Sequence, residues 1–220
     1  MKKYIYLLIA LFGFASAVNA NGVNVGVSIL GGVFDADGTE KFSGAHVSGG
    51  SPGNVTKKTA TEGDEAETAF YIGSLFAEKE LNDNFAVGLD FVPMSMDSET
   101  TENVQKQMGS DKTNKVDVTF ENMITAYVML KADTGVYAKL GYIEVDVATN
   151  ETLGTGGAYP DTTLEGIVAG VGYNHDMDTG MFVRIEGNIM EFDNVTPKNT
   201  NDTTKKITTN SIKGYSAKNH

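Results

Sequence analysis

The sequence predicts an all-β chain: an eight-stranded antiparallel up-and-down barrel that crosses a membrane with its strands. Three observations lead there. Segments of period two recur along the chain, with apolar residues on one face and glycine, polar or charged residues on the other. The connections between these segments alternate, long then short. A secretory leader precedes the first of them.

The leader is Lys2-Lys3, an apolar run from Tyr4 to Ala17, and the small-residue site Val18-Asn19-Ala20. The run falls short of the roughly 20 residues of a spanning helix. Residues 1–20 are therefore expected to be a cleaved signal peptide, with residues 21–220 forming one barrel domain. No other stretch reads as a membrane helix, so entry into a bilayer falls to strands, which satisfy their backbone groups there only in a closed barrel. The chain has no cysteine and a net charge of −12. Without Lys2 and Lys3, the remaining 15 basic and 29 acidic residues give about −14. That charge excludes a nucleic-acid binder.

The first strand alternates Val23, Val25, Val27 and Ile29 with Asn24, Gly26 and Ser28. Asp35 to Glu65 is polar and aperiodic, contains Ser51-Pro52-Gly53, and reads as a loop. The second strand, Ala66 to Lys79, leaves two registers open: Phe70, Ile72 and Phe76 compete with Tyr71, Leu75 and Ala77. Glu80 to Asn84 is a tight turn. In the third strand Phe85, Val87, Leu89 and Phe91 alternate with Ala86, Gly88 and Asp90. A second polar loop spans Asp97 to Lys115.

The fourth strand, Val116 to Lys131, sets Ile124, Ala126, Val128 and Leu130 against Glu121, Thr125, Tyr127 and Met129. After the turn Asp133-Thr134-Gly135, the fifth runs from Val136 to Val147, with Ala138, Leu140 and Tyr142 opposite Tyr137, Lys139 and Gly141. A third loop covers Ala148 to Thr163.

Leu164 to Phe192 then reads as a hairpin. Ile167, Ala169, Val171 and Tyr173 oppose Gly166, Gly170 and Gly172. Beyond the turn at Asn174–Gly180, Val183, Ile185 and Ile189 oppose Arg184, Glu186 and Asn188. Glycine on one strand beside charge on the next suits a crowded polar lumen and an apolar exterior. A fourth loop, Asp193 to Thr204, leads to a last strand at about Lys205 to Lys218. Short turns at one end and long loops at the other are the asymmetry of outer-membrane barrels, and eight strands fill their interior with side chains.

Tyr71-Ile72-Gly73, the turn Glu80-Leu81-Asn82-Asp83-Asn84-Phe85-Ala86-Val87, and Gly170-Val171-Gly172-Tyr173 followed by Arg184-Ile185-Glu186 carry a resemblance. With the leader, they resemble the small outer-membrane β-barrel proteins of the OmpA-transmembrane/opacity-protein type. The resemblance covers the whole mature chain and implies interior ion pairs. It also implies an outer-membrane location in a Gram-negative cell, lipid contact, and handling by the barrel-assembly machinery. Where that type ends on an alternating strand with a terminal aromatic, this chain ends Gly214-Tyr215-Ser216-Ala217-Lys218-Asn219-His220.

Inward positions at similar depth form a candidate lumen cluster: Asp90, Glu121, Tyr127, Lys139, Arg184 and Glu186. Arg184 is expected to pair with Asp90 or Glu186, since isolated buried charges are costly. No catalytic site emerges. The three histidines fall in a loop (His46), a turn (His175) and at the chain end (His220). His175 beside Asp176 and Asp178 reads as a solvated turn. Asp35-Ala36-Asp37-Gly38 lacks the spacing and distal glutamate of a calcium loop. Gly154-Thr155-Gly156-Gly157 precedes no helix that would cradle phosphate. No metal or cofactor is expected.

Two classes of function remain. One is a monomeric structural or surface barrel whose four polar loops serve adhesion or envelope integrity, through an unidentified surface partner. The other is a narrow pore or a small-ligand-binding barrel.

Overall fold

A computed structural model describes residues 22–42, 53–54, 65–98, 100–107, 110–154, 156–178 and 181–220. The proposed leader, His46 and most of the first polar segment lie outside them. Eight strands build a barrel: β1 (Val23–Phe42), β3 (Glu65–Asn82), β4 (Phe85–Val92), β7 (Ser110–Lys131), β8 (Val136–Leu153), β9 (Thr162–Asp176), β10 (Phe182–Phe192) and β11 (Lys205–Asn219). Each pairs antiparallel with the next, and β11 returns to β1 from Ile29↔Asn219 to Phe42↔Lys205. That last ladder closes the sheet. Among the described residues, three short strands decorate it: β2 (Gly53–Asn54) on β1, and β5 (Met96–Asp97) and β6 (Thr101–Gln107) on β7. The fold is the eight-stranded up-and-down barrel that the alternating connections predict.

The strands outrun the expected ones at the loop end. Asp35 to Phe42, expected in a loop, continues β1 against β11. Much of the expected loop from Asp97 to Lys115 is the β6–β7 hairpin. Cross-strand backbone hydrogen bonds hold these polar stretches, and apolar periodicity does not report such bonds. The open register of β3 resolves with Phe70, Ile72, Ser74, Phe76 and Glu78 buried, and Tyr71 and Leu75 exposed.

Alternation is continuous along β8 and β10, but the polarity of the two faces swaps partway up. On β8, the half near the turn points Leu140 and Tyr142 outward and buries Tyr137 and Lys139. In the half near the loops, Ile143, Val145 and Val147 are buried instead, and Glu144 and Asp146 take the outward parity. β10 repeats the swap: Arg184, Glu186 and Asn188 are buried below, and Met190 and Phe192 are buried above.

The turn half thus has an apolar exterior, with Val27 70%, Val171 67%, Ile185 59% and Leu140 58% exposed. Leu89 has the same outward parity yet is buried, so it does not contribute to that surface as expected. The loop half is built like a water-soluble barrel. Its interior is filled by rings, with Phe34 meeting Phe70, Phe120 and Phe192 at centroid distances of 5.0, 5.5 and 5.9 Å. Roughly 9–11 tilted residues cross a bilayer, whereas β7 has 22 and β8 has 18. The surplus length is this second, polarity-reversed storey.

Inward glycines make room for large neighbours. A Cβ on Gly88 would lie 2.4 Å from Tyr127 Cζ, and one on Gly172 would lie 2.4 Å from Tyr137 Cζ and 2.5 Å from the Ile185 carbonyl oxygen. Backbone cannot step aside as a flexible side-chain end can. Gly172→Val is therefore expected to cost about 1–3 kcal/mol by overpacking, read from urea unfolding of the folded protein in detergent or lipid.

Candidate functional site: the lumen cluster

The interior of the turn half gathers three cations and three carboxylates from five strands. Arg184 on β10 reaches across the lumen to Glu78 on β3 in a two-point pair. Its Nη1 lies 2.5 Å from Oε1 and its Nη2 2.9 Å from Oε2. Both side chains are almost wholly buried. Two further bonds complete the arrangement: the Tyr127 hydroxyl donates to Glu78 Oε1 at 2.7 Å, and Arg184 Nε donates to Asn174 Oδ1 at 3.2 Å. The guanidinium also lies 4.8 Å from the Phe182 ring centroid and 5.1 Å from that of Tyr137.

The second pair is Lys139 on β8 with Glu186 on β10, whose other oxygen accepts from the Tyr137 hydroxyl at 2.7 Å. The third is Lys218 on β11 with Asp90 on β4. The Ser74 hydroxyl donates to Asp90 at 3.2 Å and lies 2.6 Å from that of Ser28. Each carboxylate therefore has a cation and at least one hydroxyl donor. That arrangement offsets the large desolvation cost of burying charge.

Of the residues singled out from sequence, Asp90, Tyr127, Lys139, Arg184 and Glu186 are buried here together. Glu121 is not among them: it is exposed. The β7–β8 register shifts between Glu121 and Ile124, and Asn122 takes φ 52. This bulge breaks the strict alternation from which an inward Glu121 was expected. The expected partners of Arg184, Asp90 and Glu186, are instead taken by Lys218 and Lys139, and Arg184 takes Glu78.

Glu78, Lys218 and Tyr137 complete the cluster and were absent from the sequence-based set. Glu78 continues the series Phe70, Ile72, Ser74, Phe76, and Lys218 the series Ile212, Gly214, Ser216. Either register, followed to its end, would have found them.

Other sequence candidates find structural places. Asp35 and Asp37 sit in the β1–β11 ladder, opposite Lys213 and Ser211, rather than in an ion-binding loop. His175 is exposed near the end of β9. His220 packs edge-on against Phe76 at a centroid distance of 4.9 Å.

At the loop end, buried Asn199 joins the third and fourth loops. Its Nδ2 donates to the Gly156 carbonyl at 3.3 Å, and its Oδ1 accepts from the Asn201 and Asp202 amides at 2.9 and 3.2 Å. Bonds from the Thr204 hydroxyl and amide hold the Asp202 carboxyl below its ordinary value.

No protein-family model and no curated protein matches the chain. Solved structures similar to it include the outer membrane protein OprG from Pseudomonas aeruginosa, at 12% identity over 90% of this chain and 94% of that one, with a TM-score of 0.47. Ail, the attachment invasion locus protein of Yersinia pestis, is similar at 12% identity over 90% and 98% of the two chains, TM-score 0.30. The outer membrane protease OmpT from Escherichia coli is similar at 10% over 92% and 97%, TM-score 0.38. At these values the similarities assign neither family nor activity, and the fold stands on the chain's own strand register.

Proposed function

We propose that this chain is a monomeric, non-conducting barrel of the Gram-negative outer membrane. Its turn half sits in lipid and its loop half stands above the surface, for adhesion or envelope integrity. The single observation that carries this reading is the swap of face polarity. An apolar exterior over a charged, internally paired lumen is an arrangement for hydrocarbon, and a polar exterior over an apolar interior is one for water.

The leader and the opacity-type motifs support secretion to that membrane, with lipid and the barrel-assembly machinery as partners during insertion. The loops are the surface on offer to an outside partner. Two layers of buried side chains among the described residues support the non-conducting reading over a pore: the three ion pairs and, above them, the cluster around Phe34.

Liposome flotation after refolding tests the reading. The protein should float with the vesicles, resist extraction by carbonate, and shift its mobility in cold SDS on boiling. Protein that stays in the aqueous fraction and runs identically before and after boiling would contradict it.

A further inference from the structure

The third and fourth loops are tied into one platform, and two carboxyl groups fasten that platform to β8. Ala158 N donates to Thr200 Oγ1 at 3.0 Å, Thr200 N donates to the Ala158 carbonyl at 2.7 Å, and Asn199 reaches the Gly156 carbonyl. Below them the bonds to β8 are reciprocal. Glu151 of β8 accepts from the Tyr159 amide through Oε1 at 2.5 Å, and Asp161 accepts from the Thr149 amide of β8 through Oδ1 at 2.9 Å. The Tyr159 side chain is itself buried.

The Glu151 end of this fastening is unbalanced. Its other oxygen, Oε2, is buried and has no hydrogen-bond partner among the described residues. A buried acceptor left unpaired is costly, and more so when it carries charge. The charge that acts on it is a like one, that of Asp161. On β7 the residue opposite Glu151 is Val116. Lys115 and Asp117, to either side of Val116, have the opposite parity and are engaged by Glu102 and Asn150. From the fourth loop, neutral Asn199 and Thr200 meet the segment.

We propose that Glu151 is a proton-operated latch on this platform. With its carboxyl protonated, segment 156–161 stays fastened to β8; with it ionised, the segment releases and the outer loop surface loosens. Glu151 lies well above the polarity swap, where solvent protons reach the platform. Burial first, and the Asp161 charge with it, raise the Glu151 carboxyl above its ordinary value, and the Tyr159 amide offsets them only in part. The latch's contribution is therefore complete below the ordinary carboxylate value and is lost as pH rises through the raised one. The latch regulates the loop surface of the reading above, but it does not require insertion in lipid, so failure of flotation would leave it standing.

Hydrogen exchange on the wild-type protein refolded in detergent tests the latch, with each rate divided by the intrinsic rate at that pH. Protection of the Tyr159 amide should fall at least about threefold from about pH 4 to about pH 7, the change that a half-unit rise in one carboxyl produces. The amides of Ile143 and Val145 serve as the reference and should keep their protection. Glu151→Gln, which holds the neutral shape at every pH, should keep the acid level of protection at both ends.

A flat wild-type profile would overturn the proposal, and so would a Glu151→Gln profile with the wild-type slope. Loss of the slope in Asp161→Asn but not in Glu151→Gln would overturn it in favour of Asp161. Equal loss at Ile143 and Val145 would overturn it in favour of loosening of the whole barrel. Calcium chloride that restores Tyr159 protection at the upper pH would overturn it in favour of a cation site.

Discussion

Arg184→Ala is expected to lower the unfolding free energy by about 3–5 kcal/mol, because it leaves Glu78 charged, buried and without its cation. Among the described residues, Glu78 keeps only the Tyr127 hydroxyl after that change, and it has almost no access to water. The double variant Glu78→Gln with Arg184→Met should recover most of the loss, since the penalty lies in stranding one charge rather than in forgoing the pair. Urea titration of folded protein in lipid, compared across both single variants and the double, measures the coupling. Additive losses would mean that the two side chains do not meet.

Val171→Arg is expected to cost about 2–4 kcal/mol if Val171 lies near the bilayer midplane, the range for a cation on the lipid face of a barrel. Val171 is 67% exposed on the outer face of β9. In a water-soluble barrel an exposed substitution there would change little, usually within about 0.5 kcal/mol. Glu165→Arg, six residues toward the loop end on the same outward parity, is the control. Glu165 lies above the polarity swap, so its replacement should be nearly neutral. Equal costs at the two positions would show that the exterior carries no belt.

The architecture was readable in the sequence because alternation and connection length are local signals. Leu140 against Lys139, or Ile185 against Arg184, states which side faces what before any coordinate exists. The storey above was hidden by the same signal. Ile143, Val145 and Val147 continue the alternation of β8 without a break, so period two alone does not reveal that the apolar side has moved from outside to inside.

Partner choice in the lumen was also out of reach. Arg184 and Glu78 are 106 residues apart, and their meeting depends on the stagger of strands around the barrel. Glu121 shows the opposite hazard. One bulge at Asn122 carries a residue that looked inward to the exposed face.

Conductance across planar bilayers tests the central claim most directly, that the lumen is sealed by an ionic layer and an apolar one. Wild-type barrel reconstituted into the bilayer, its folding verified by the shift in SDS mobility, should leave the membrane at baseline current in potassium chloride under either polarity of applied voltage. Steady stepwise ohmic conductance from the wild-type protein would contradict it, because it would require a continuous water path past Arg184, Glu78 and the rings around Phe34.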